Sequence, residues 1–201
     1  GDFSSNSVLG FGAFVANTTG TNNAVIGSES LEKNTTGSAN IGIGVKSLED
    51  NTIGSGNIAL GYRAMLSNKA GSRAVAIGED AMLYTYNDAS AFGNTNIAIG
   101  YNSMRGTTTA ANNTGSNNVA VGTESFKNFQ GASGCVAIGN NSMFSNIDGN
   151  TNSSVGASSF YYNTTGGENT SAGALSLFSN TTGSSNCAFG VFALNANNVN
   201  S

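Results

Sequence analysis

The sequence predicts an all-β fold, a parallel β-solenoid or β-roll of about eleven 17-residue coils, and three observations carry that expectation. One glycine recurs at Gly10, Gly27, Gly44, Gly61, Gly78, Gly100, Gly122, Gly139, Gly156, Gly173 and Gly190, every step being 17 residues except two consecutive steps of 22. Four further columns keep their chemistry around that glycine, which a disordered Gly- and Asn-rich tract would not do. Finally, a 17-residue unit is too short for a helix pair, which needs more than about 30 residues, and suits one coil of about two short strands and two turns that buries its apolar side by stacking on its neighbours.

The strand comes first in each unit. The residue before the glycine is always apolar: Leu9, Ile26, Ile43, Leu60, Ile77, Ile99, Val121, Ile138, Val155, Ala172, Phe189. Words such as NIAIG, NVAVG and CVAIG are β-branched, alternate large with small, and end in Gly, as a strand meeting a sharp bend requires. Alternation places the residues one and three before the glycine on one face and the small residue between them on the other. The expectation is that the large face fills the coil. The small face, Ala59, Ala76, Ala98, Ala120 and Ala137, would then be an outer subunit interface where another backbone approaches closely.

After the glycine the pattern changes. Three residues on stands Ser or Ala, and four on a large apolar residue: Phe14, Leu31, Leu48, Met65, Met82, Met104, Phe126, Met143, Phe160, Leu177, Leu194. These are expected inside, each contributing roughly 1.5 to 3 kcal/mol when fully buried. Asn stands seven after the glycine in eight copies and four before it in nine, with Ala74 and Cys135 as the exceptions in the second column. The first Asn is expected to open a left-handed turn completed by a Gly three residues later, and the second to form a stacked amide ladder.

Composition narrows the function. The chain has 31 Asn and 28 Gly, only 9% charged residues, and no His, Pro or Trp. Without His the commonest general base and metal ligand are missing, so no enzyme, no cofactor and no metal site is expected. Eleven acids and seven bases are scattered along the chain, which leaves no basic face for nucleic acid. No apolar run approaches the roughly 20 residues of a membrane-spanning helix, so no membrane insertion is expected.

The words SRAVAIGEDA (72–81), NNVAVGTES (117–125) and CVAIGNNS (135–142) resemble the head repeats of YadA-type trimeric autotransporter adhesins, and related repeats occur in phage and algal-virus fibres. The resemblance implies a left-handed roll, three chains around one axis, and an extracellular place on a cell or virion surface. The coil here is longer than in those heads, the extra residues lying in the Asn-Thr-Thr-Gly turn. The neck, stalk and anchor of those adhesins are not read in these 201 residues, so the expectation is either that such parts lie elsewhere or that the rod assembles by itself.

Outside the repeat, the two longer steps share a coil boundary and insert loops near 83–93 and 105–115. Tyr84, Tyr86, Asn87 and Asp88 in one, with Thr107, Thr108 and Thr109 in the other, are candidate contacts for a host-surface glycan or protein, because loops on a rigid scaffold often bind. A tolerated surface insertion or a subunit packing contact is the simpler account of them. Thr18, Thr19, Thr35, Thr36, Thr164, Thr165, Thr181 and Thr182 suggest a hydroxyl array of the ice-binding kind, interrupted at Lys69, Ala70, Ile147 and Asp148. Cys135 and Cys187, three coils apart, are expected as small buried thiols with no bridge between them. Glu29, Glu79, Asp80 and Glu124 are expected to be solvated. The function expected from these features is a non-enzymatic structural or adhesive fibre protein whose partner is itself, as a homotrimer. The alternatives are a filament polymerising end to end and, less strongly, an ice-binding solenoid.

Overall fold

A computed structural model describes residues 5–85, 92–109 and 112–196. Each coil gives one three-residue strand to a single sheet: Ser7–Leu9, Ala24–Ile26, Ile41–Ile43, Ile58–Leu60, Val75–Ile77, Ile97–Ile99, Val119–Val121, Val136–Ile138, Ser153–Val155, Thr170–Ala172 and Cys187–Phe189. The eleven strands pair in parallel, in chain order, each on the next coil. The register matches like with like: Ile41 on Ile58, Gly42 on Ala59 and Ile43 on Leu60. Both long steps keep it, Ala76 facing Ala98 and Ala98 facing Ala120. This is a β-solenoid.

A second strand in every coil is not formed. Among the described residues the other strand pair is Gly71–Ser72 with Phe92–Gly93. The reason lies in the backbone after the key glycine, where residues two and four further on are left-handed, as at Lys46 (φ 60) and Leu48 (φ 52) or Asn102 (φ 53) and Met104 (φ 46). Two left-handed residues so close together break an extended run. The hydrogen bonds between coils survive the break, Leu31 N donating to Ser47 O at 2.9 Å and Leu48 N to Ala64 O at 3.0 Å. Large side chains therefore occupy a conformation that costs roughly 1 to 2 kcal/mol per residue, offset by burial: Leu31, Leu48, Met65, Met104, Phe126, Met143, Phe160 and Leu177 are completely buried.

The strand faces are reversed from expectation. Ala59, Ala76, Ala98, Ala120 and Ala137 are completely buried within the single chain, so they form the coil interior and no subunit interface. The β-branched residues on either side of them point outward. Width decides this: the Leu, Met or Phe from the opposite wall already fills most of the coil, leaving room for a small residue in most coils, with the completely buried Val25 the largest interior residue in this column. At Gly42 even an added Cβ would run into Leu31 Cδ1 and lie 2.8 Å from Ser30 Oγ. Where Ser154 and Ser171 replace Ala, their buried hydroxyls meet Ser142 at 2.8 Å and Ser159 at 2.9 and 2.5 Å, which satisfies each in the apolar core.

Two amide ladders hold the coils in register. Seven after the glycine, Asn34, Asn51 and Asn68 each donate Nδ2 to the Oδ1 of the preceding Asn (3.0, 2.8 and 3.0 Å) and to the Gly carbonyl three residues on. Four before the glycine, Oδ1 accepts the backbone N–H of the next coil, Asn40 N to Asn23 and Asn57 N to Asn40, at 2.9 and 3.0 Å, while Nδ2 reaches a turn carbonyl. The turn itself differs from expectation, since neither Asn34 nor Gly37 is left-handed. Gly37 is required by close approach: a Cβ there would meet Asn34 Oδ1 and the Gly54 carbonyl.

Candidate functional site

The outward strand face is an exposed apolar feature that runs through successive coils of the described residues. Ile26, Ile43, Ile99, Ile138 and Val155, with Ile41 and Ile97 two residues earlier in their strands, are 36–47% exposed, and Val45, Tyr62 and Tyr101 extend the face past the glycine bend. Because the sheet is in register, these side chains form two parallel rows along the rod rather than scattered points. The alternation in the sequence carried this signal, but it read as a core.

The loop wall is partly described. Tyr86, Asn87 and Asp88 lie outside the described residues. Tyr84 is half-buried, Thr107 is half-buried, and Thr108 and Thr109 are exposed. The structure brings the bases of the two loops together: Asn113 Nδ2 donates to Tyr84 O at 2.5 Å and to Thr107 O at 2.9 Å, and its Oδ1 accepts from Thr107 N at 3.1 Å. Arg105 lies 5.3 Å from the Tyr84 ring centroid, a cation–π contact. Here the amide ladder fails, with Thr85 and Phe129 in its column, and Asn68 Oδ1 and Thr85 Oγ1 are buried without a hydrogen-bond partner.

Three of the four acids expected to be solvated are paired. Arg63 holds Asp80, nearly buried, through two bonds of 2.8 and 2.6 Å, and this raises the guanidinium pKa further. Lys127 meets Glu124 at 2.6 Å. Carboxylate oxygens of Glu29, Glu32 and Glu49 lie within 4.8 Å of one another. Lys46 sits against two of them, 2.7 Å from Glu29 and 3.1 Å from Glu49, so an ammonium already offsets part of the group's charge. Its pKa rises because both carboxylates bond to it. Glu79 is exposed as expected.

Other candidates resolve as chain architecture. Thr18, Thr35, Thr52 and Thr164 each donate Oγ1 to a carbonyl of the next coil at 2.8 to 3.0 Å, so these hydroxyls serve coil stacking. Cys135 is buried and Cys187 exposed, and neither is bridged. Cys187 departs from the expected burial because its column, three before the glycine, faces outward.

A feature the repeat alignment left unread lies five and six residues after the glycine. Phe144, Tyr161 and Phe178 stand in the same column of successive coils, a signal present in the sequence as aromatic residues one repeat apart. Phe144 and Tyr161 stack at 4.9 Å with their planes 1° apart, and Phe178 follows at 5.4 Å. Among the described residues no helix is long and apolar enough to cross a membrane. No protein-family model, no curated protein and no solved structure matches this chain, so its functional reading rests on the arrangement of these residues.

Proposed function

We propose that this chain is a rigid, non-enzymatic rod of an extracellular fibre, on a cell or virion surface, which assembles with copies of itself as a homotrimer and serves as a structural or adhesive element. The outward double row of Ile and Val supports this reading most directly. Soluble monomers rarely expose contiguous apolar patches beyond a few hundred Å², whereas eleven strands spaced about 4.8 Å apart make a strip roughly 50 Å long. A non-enzymatic role rests on the absence of His and on a unit whose repetition builds length rather than a unique pocket.

The test is assembly. Ile43→Lys and Ile99→Lys place charges on the strip without touching the interior. Light scattering should find a trimer for the wild type and a smaller species for the variants, with unchanged far-UV circular dichroism. A monomeric wild type removes the proposal. The parallel in-register sheet, in which each strand pairs with the same columns of the next coil, favours a second reading, stacking of copies end to end into a filament. Electron microscopy separates the two, since long threads support the filament and discrete rods the trimer.

A further inference from the structure

Five and six residues after the key glycine, one wall of the rod changes character along its length. In the early coils it carries Glu32, Lys33, Glu49 and Asp50, a net negative group in which Lys33 lies 2.5 Å from Asp50 and 3.7 Å from Glu49. In the coils of Gly139, Gly156 and Gly173 the same columns hold the Phe144, Tyr161 and Phe178 stack with Ser145, Tyr162 and Ser179 beside it. Tyr162 stands across the stack, 73° to Tyr161 and 78° to Phe178, held by edge contacts at 4.8 and 5.0 Å, yet it remains 48% exposed. No other hydrogen-bonding group of the described residues engages the hydroxyls of Tyr161, Tyr162, Ser145 or Ser179. The nearest ionised groups, Glu124 and Lys127, are paired to each other, and Lys127 also lies over the Phe144 ring at 5.4 Å. Asp148 and Glu168 belong to the turn wall, where Asp148 accepts from Gly131 N and Glu168 lines a shallow cleft with Asn150 and Thr165.

A pyranose has an apolar face of C–H groups and a rim of hydroxyls. It therefore matches a rigid aromatic ring bordered by free hydroxyls, where the ring supplies contact area at little entropic cost and the hydroxyls fix orientation. In the coils of Gly139, Gly156 and Gly173 these two columns hold no charged residue, which selects an uncharged sugar. We propose that the wall around Tyr162 binds a neutral glycan, a sugar ring lying against Tyr162 with its hydroxyls bonded by Ser145 and Ser179. This deepens the adhesive side of the fibre reading and rests on it.

The experiment uses the full chain. An array of neutral hexose oligosaccharides, with sialylated and sulfated counterparts, is followed by titration of the best-retained neutral oligosaccharide. Tyrosine fluorescence reads the titration, since the chain has six Tyr and no Trp. Retention of neutral glycans, a weakening of about tenfold or more in Tyr162→Ala, and unchanged binding in Tyr84→Ala are expected. The double variant Ser145→Val with Ser179→Val keeps the ring and should also weaken binding, so a misfolded Tyr162→Ala does not decide the matter. Retention of acidic glycans alone, of no glycan, or of neutral glycans by all these variants alike overturns the proposal. Light scattering on the same samples keeps the two readings apart: a wild-type monomer that still binds neutral glycan through Tyr162 removes the trimer and leaves the site.

Discussion

At Cys135 a thiol stands where nine of the eleven coils place Asn. Its Sγ lies 3.2 Å from the Gly149 carbonyl, in the position of an amide donor such as Asn152 Nδ2, which reaches Gly166 O at 2.8 Å. The Asn152 N–H, which in other coils meets an Asn Oδ1, faces the sulfur instead. Asn at this place restores two hydrogen bonds, each worth about 0.5 to 1.5 kcal/mol, so Cys135→Asn is expected to raise Tm at neutral pH. Burial also pushes the thiol pKa above its ordinary value of 9.0. The folded chain then keeps this proton after the unfolded chain has released it, so stability is intact below pH 9.0 and falls as pH rises from there through the folded pKa. Thermal melts from neutral to about pH 10 should show the wild type losing more Tm than Cys135→Asn, and parallel losses would refute the linkage.

Within one coil, periodicity revealed which residues share a face but not which face is inside. Ile97, Ala98 and Ile99 alternate whichever way the strand is turned, and bulk alone does not mark the core. The deciding quantity was the room left by the opposite wall, where Met104 or Leu48 already fills the section, and no single column states that distance. The left-handed turns were misplaced for a similar reason. Asn and Gly advertise positive φ, yet in this coil Met65, Phe126 and Leu177 adopt it while Asn34 and Gly37 do not. The ladders, by contrast, were legible as columns, and their energetics belong to the coil as a unit. Asn51→Ala removes the donors to Asn34 Oδ1 and Gly54 O and the acceptor for Asn68 Nδ2, all in a buried column. Chemical denaturation should show a loss of about 1 to 3 kcal/mol, the cost of leaving such buried groups unpaired.

Among the described residues each strand contacts only those of the adjacent coils, so stability is expected to behave as a one-dimensional chain of interfaces. All seven basic residues lie between Lys33 and Lys127, which confines the ion pairs among the described residues to the coils from Gly27 to Gly122 and leaves the later ones to packing, amides and the aromatic stack. Two glycines of identical column test the consequence. At Gly122 a Cβ would lie 2.5 Å from the Gly139 carbonyl oxygen, so Gly122→Ala must push two coils apart as well as strain a φ of +133. At Gly190 nothing lies within 4 Å of such a Cβ, and Gly190→Ala costs only the strain of φ +117, about 1 to 3 kcal/mol. Hydrogen exchange should therefore show Gly122→Ala opening the strands Val119–Val121 and Val136–Ile138 while Ala24–Ile26 and Ile41–Ile43 keep their protection. Gly190→Ala should alter exchange only around Cys187–Phe189. If Gly122→Ala instead lowers protection equally in every strand, the coils unfold as one body and the nearest-neighbour picture fails.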